Sequence, residues 1–124
     1  MKKIMAAIVF LAASGIAMAD DTRTLEIYKC KLKEGVKMED VRANNVRWLA
    51  NTRKNAGTDE INSYALQPKV GDLDHFMFID AYPDLATWAK AESADDTDES
   101  KAIEAAFNDM MDCDKNRLYE STKH

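Results

Sequence analysis

FMFIDAYPDLATWAKA, residues 76–91, carries the decision about the fold. Its first part is rich in aromatic and β-branched residues, the composition of a strand, and with His75 it predicts a strand over 75–82. Phe76 and Phe78 point to one side of that strand, Met77 and Ile79 to the other. Pro83 then stands where a helix begins, with Asp84 in its first turn. Leu85, Trp88 and Ala89 form the apolar side of that short helix.

Working outward, residues 61–67 (INSYALQ) make a second strand, ended by Pro68, and a Gly-containing turn over 70–74 joins it to the third as a hairpin. Upstream, 24–32 (TLEIYKCKL) reads as the first strand. Residues 37–56 have helical spacing, with Met38, Val41, Trp48, Leu49, Thr52 and Ala56 on one side and Gly57 as the stop. Downstream, 93–99 is a polar, acidic linker. Ile103, Ala106, Phe107, Met110 and Met111 repeat at i, i+3, i+4, i+7 and i+8, the stripe of an amphipathic helix. Residues 116–122 (NRLYEST) supply a last strand. The predicted order is β-α-β-β-α-α-β: an α+β, ferredoxin-like split βαβ arrangement with a four-stranded antiparallel sheet and one extra helix.

In that topology the last strand lies beside the first, so Cys30 faces Cys113. These are the only two cysteines, and a disulfide between them is expected. The alternative is two buried free thiols. Both faces of the sheet carry apolar residues: Leu25 and Ile27 lie opposite Tyr28, Cys30 and Leu32 on the first strand. Helices can cover only one face, which predicts a homodimer packed sheet to sheet. A monomer with a thicker central strand is the alternative.

The first nineteen residues read as a secretory signal. Lys2 and Lys3 precede an apolar run from Ile4 to Ala13, and Ala17-Met18-Ala19 supplies small residues before a cleavage point at Asp20. The run is short for a membrane span, which needs about 20 apolar residues. The expectation is export to the periplasm or extracellular medium, with one domain over 20–124. The full chain carries a net charge of −5, and losing Lys2 and Lys3 makes it more acidic. That balance opposes nucleic-acid binding, which needs a basic face. No second apolar stretch is long enough to span a membrane.

Several residues are candidates for chemistry. Asn45 interrupts the apolar side of the first helix, and Trp48 stands one turn further on, so the two are placed to line a pocket between helix and sheet. The bland alternative is an amide satisfied by nearby backbone. Tyr28, Tyr64, Trp88 and Met110 are candidates for an apolar pocket, or else core. His75 is a weak catalytic candidate, or a strand-end histidine bonded to its turn. The acids Asp95, Asp96, Asp98 and Glu99 lack the spacing of a calcium loop and suit a helix start. No phosphate loop, nucleophile elbow or Cys/His pair is present, and neither a metal nor a cofactor is expected.

In element order and in the stretch 76–91, the chain resembles the dimeric α/β-barrel superfamily. That group includes small antibiotic-biosynthesis-type monooxygenases, muconolactone isomerases, haem-binding members and stress-responsive proteins. The resemblance covers most of 24–122. An exported, disulfide-bonded chain departs from the mostly cytoplasmic enzymes of the group. The resulting expectation is an exported homodimer binding a small apolar or aromatic molecule at Asn45, Trp48, Tyr64 and Trp88. The resemblance also admits a cofactor-free oxygenase or isomerase, in which Asn45, Trp48 and His75 hold and polarise the substrate and His75 is the base. A structural or inhibitory scaffold is the third reading.

Overall fold

A computed structural model describes residues 22–124. The expected signal over 1–19 and its cleavage point lie outside the described residues. The elements are β1 (Thr22–Leu32), α1 (Met38–Ala56), β2 (Asn62–Leu66), β3 (Phe76–Tyr82), α2 (Leu85–Ser93), α3 (Asp98–Met110), β4 (Met111–Cys113) and β5 (Arg117–Thr122). All pairings are antiparallel. β1 is central, with β3 and then β2 on one side and β4 and β5 on the other. This is the ferredoxin-like α+β arrangement, with its fourth strand broken into two. The break corrects the reading of Met111 as helical: the residue leaves α3 in extended conformation, φ −152° and ψ 159°, and opens β4. Pairing with Leu32 draws it into the sheet, and it stays buried there.

Local chemistry sets the helix ends. Glu39 and Asp40 lie in the first turn of α1 and Arg53 and Lys54 in its last, each meeting the helix dipole favourably. Gly57, at φ 72°, closes the helix by donating its N–H to the Arg53 and Lys54 carbonyls. A second correction concerns α2. Asp84 is the N-cap and not part of the first turn, because its carboxylate accepts the Thr87 N–H at 2.7 Å and the chain there is extended. Pro83 therefore precedes the helix. Thr97 caps α3 in the same manner, so the acidic linker is shorter than expected and Asp98 and Glu99 form the first helical turn.

Helices cover one face of the sheet. Cys30, Val41, Phe76, Phe78 and Met111 form one buried cluster, and Ala56, Ile61, Tyr82 and Ala91 form another, joined by Leu49 and Trp88. Along the inner face of β3 the order is Phe76, Phe78, Asp80, Tyr82, so an acid separates the clusters. Glu26 stands in the same row on β1, directly opposite Asp80. The core is thus divided by a polar band, and that band positions the site.

Cys30 and Cys113 are directly opposite in the β1–β4 register and form a disulfide. The other sheet face is covered by no helix among the described residues. Ile27, Ile79 and Tyr64 share it, with Leu25 and Tyr119 beside them. Tyr64 is 54% exposed and Tyr119 51%. Among the described residues no helix is long and apolar enough to cross a membrane.

Candidate functional site

A cavity of about 480 Å³ opens between α1, α3 and the inner face of the sheet, where the polar band divides the core. Glu26, Tyr28, Phe78 and Asp80 form its floor, and Asn45, Trp48 and Phe107 its walls. Glu92, Asp95, Glu104, Asp114 and Lys115 are exposed and ring the mouth. Strand alternation puts both floor acids inward: Glu26 shares a side with Tyr28 and Cys30, and Asp80 with Phe78 and Tyr82.

A directed hydrogen-bond chain runs from α1 to the floor of this space. The Asn45 amide donates to Ser63 Oγ at 2.9 Å, and that hydroxyl donates to Asp80 Oδ1 at 2.5 Å. On the other side, the Asn116 amide donates to Glu26 Oε2 at 2.6 Å. Both acids are nearly removed from water, Asp80 at 4% and Glu26 at 1% exposure. No lysine, arginine or histidine pairs with either among the described residues.

Burial disfavours a carboxylate, and neighbouring acids add to the effect. Desolvation, then Glu26 and Glu92, push the Asp80 carboxyl up to about 7 against the pull of its Ser63 hydrogen bond. Desolvation, Glu26, Asp95 and Glu104 push Glu92 up to about 7 as well. Asp95 is raised by desolvation and Glu104. The Tyr28 phenol is also held well above its ordinary value, by burial and then by Glu26. The site can therefore hold or exchange a proton near neutral pH.

The structure distributes the sequence-predicted residues over three places. Asn45 and Trp48 line the cavity, as does Tyr28. Tyr64 points to the helix-free face, because it pairs with Ile79 and not with the inward Asp80. Trp88 packs in the second core cluster, its buried indole N–H without a partner among the described residues. Met110 packs against the first cluster. His75 lies at a separate depression of about 150 Å³, its Nδ1 3.1 Å from the Asp72 carboxylate. His75 and Asn45 therefore do not share a cavity.

Sequence reading passed over the acids. Glu26 and Asp80 were visible as charges at inward-facing positions of two strands, in TLEIY and FMFIDAY. It also favoured Asn45 as the buried amide of α1, whereas Asn44 is the more buried of the two. Asn44 donates to the Ile103 carbonyl at 3.0 Å, because α3 packs beside α1 and widens its covered arc beyond the face toward the sheet.

No protein-family model and no curated protein matches the chain. Solved structures do resemble it in fold. One is SnoaB, a cofactor-independent oxygenase from Streptomyces nogalater, at TM-score 0.61 and 8% identity over 82% of this chain and 95% of that one. A NIPSNAP family protein of unknown function from Agrobacterium tumefaciens matches at 0.61 and 14%, covering 82% and 89%. A dimeric ferredoxin-like protein of unknown function from Thermobifida fusca matches at 0.50 and 11%, covering 82% and 92%. These likenesses establish a ferredoxin-like fold.

Proposed function

We propose that the protein is an exported homodimer that binds a small apolar or aromatic molecule in the cavity between α1, α3 and the sheet. The observation that carries this reading is the cavity itself. About 480 Å³ lies within the range of small-molecule sites, and Tyr28, Trp48, Phe78 and Phe107 line it among more numerous polar and charged side chains. Tight packing would have closed such a space in a scaffold. Export is supported by the signal-like start and by the disulfide, which an oxidising compartment maintains. Sheet-to-sheet pairing is supported by the apolar helix-free face and by the dimeric neighbour of like fold.

Native mass spectrometry of protein purified from its own envelope or medium tests the reading. The expected result is two chains carrying one small molecule each. An empty monomer there refutes it.

One observation favours a second reading, a cofactor-free enzyme. Asp80 faces the cavity, is fixed by Ser63 and titrates near neutrality, the requirements for a general base. Asp80 would then take the role first given to His75. Conversion of the co-purified molecule on prolonged incubation, lost in Asp80→Asn, separates this reading from binding alone.

A further inference from the structure

Two carboxyls in the core, with no cation beside them among the described residues, call for an explanation. Removing a carboxylate from water costs several kcal/mol unless an opposite charge or a proton compensates it. Asn116 donates to Glu26, which the Tyr28 phenol also hydrogen-bonds, and Ser63 donates to Asp80. Asp80, at 4% exposure, has no second hydrogen-bond partner among the described residues, and it lines the cavity. Directly opposite residues of an antiparallel pair have Cβ atoms about 4.5–5.5 Å apart, so one small cation reaches both carboxyls.

A proton shared between them neutralises at most one charge of the set. Glu92, Asp95 and Glu104 at the mouth keep the field negative, and Lys115 is the one basic residue lining the cavity among the described residues. A metal ion is a poor occupant, because no three acidic, histidine or cysteine groups converge among the described residues. Four aromatic residues, Tyr28, Trp48, Phe78 and Phe107, stand among the amides of the remaining lining. Ring faces attract a cation, most strongly when it is desolvated, and Trp is the best of them.

We propose that the cavity takes an organic cation, a protonated amine joined to an aromatic or apolar body. Its ammonium sits on Glu26 and Asp80, and its body lies against Trp48 and Phe107. This rests on the ligand-binding reading above and adds the sign of the ligand's charge. The ring of acids at the mouth concentrates cations before they enter.

The test uses the disulfide-intact protein and matched probes: phenylalkylamines with one to three methylenes, against the phenylalkanols of equal length. Calorimetry at pH 8, where these amines are still largely protonated, gives the affinities. The best amine is expected to bind at least tenfold more tightly than its alcohol. Asp80→Asn keeps an acceptor for Ser63, and Glu26→Gln keeps one for Asn116. Each is expected to remove most of the amine's advantage over its alcohol. An alcohol that binds as tightly as its amine overturns the inference and leaves the cavity reading standing. So does an amine preference that survives both substitutions. Failure of every probe to bind at millimolar concentration overturns both.

Discussion

Glu26 and Asp80 face each other across the β1–β3 pairing, on the sheet side that the helices cover. Each is flanked along its own strand by core residues, Tyr28 and Cys30 in one case and Phe78 and Tyr82 in the other. A cross-strand pair of like charges is unfavourable even at a surface. Here it lies between two apolar clusters, so it subtracts from stability whenever Asp80 is ionised.

That relationship predicts an unusual pH dependence. The folded protein holds the Asp80 proton up to about 7, whereas an unfolded Asp releases it near its ordinary value of 3.8. Between those values the native state binds more protons, so stability falls as pH rises. Glu92 acts in the same direction. Asp84, held low by its hydrogen bonds from Thr87, works oppositely but only in more acid solution. Melting temperature is expected to drop from pH 5 to pH 8. Asp80→Asn should flatten most of that slope, with a gain at pH 8 on the order of 2–4 kcal/mol. Calorimetric melts across the range check it, and an unchanged slope in the variant assigns the effect elsewhere.

The disulfide ties the central strand to the short β4, which leads out of α3 into the cavity rim. It closes a loop spanning 83 residues of sequence separation. On the chain-entropy model a closure of this length contributes about 4–5 kcal/mol. The double variant Cys30→Ala/Cys113→Ala is expected to lose up to that amount in a urea titration. Mass analysis of the non-reduced protein should find no alkylatable thiol, and two would remove the premise.

The helix-free face predicts a dimer that one charge can break. Tyr64 is the most exposed aromatic on that face and pairs with Ile79, which in turn lies opposite Ile27. Light scattering at micromolar concentration should give twice the mass of one chain. Tyr64→Lys is expected to reduce it to one chain without lowering the melting temperature of the dissociated protein. A wild-type monomer that stays well folded would defeat the sheet-to-sheet arrangement.

Much of this architecture was legible in the residues because it depends on local signals. The apolar runs, Pro68, Gly57 and the i, i+3, i+4 stripe of α3 each act within a few positions. The Cys30–Cys113 pairing followed once the last strand was placed beside the first. What escaped is non-local. Asp80 looks like one acid in an apolar strand until the β1 register puts Glu26 across from it. Tyr64 and Trp88 looked like pocket aromatics because sequence spacing does not say which sheet face or which core cluster receives a side chain. His75 is separated from Asn45 for the same reason, since a strand end and a helix middle come together only in three dimensions.

The last prediction concerns the chain from Asn45 through Ser63 to Asp80. A serine hydroxyl has one proton, and here it goes to Asp80, leaving the oxygen to accept from Asn45. That bond pulls the Asp80 carboxyl downward while burial pushes it up. Ser63→Ala removes the pull, so the Asp80 midpoint should climb above about 7. Trp48, on the same cavity, is the expected reporter in a Trp88→Phe background. Its fluorescence should titrate near pH 7 in the parent and at higher pH in Ser63→Ala, and in Asp80→Asn only the smaller step of Glu92 should remain. Asn45→Leu leaves the Ser63–Asp80 bond in place but frees the hydroxyl to rotate. It should therefore broaden the step or shift it upward by less than Ser63→Ala does, with little change in melting temperature. A midpoint unmoved by Ser63→Ala would mean that another group titrates, and the chain would then be a packing device with no hold on the proton.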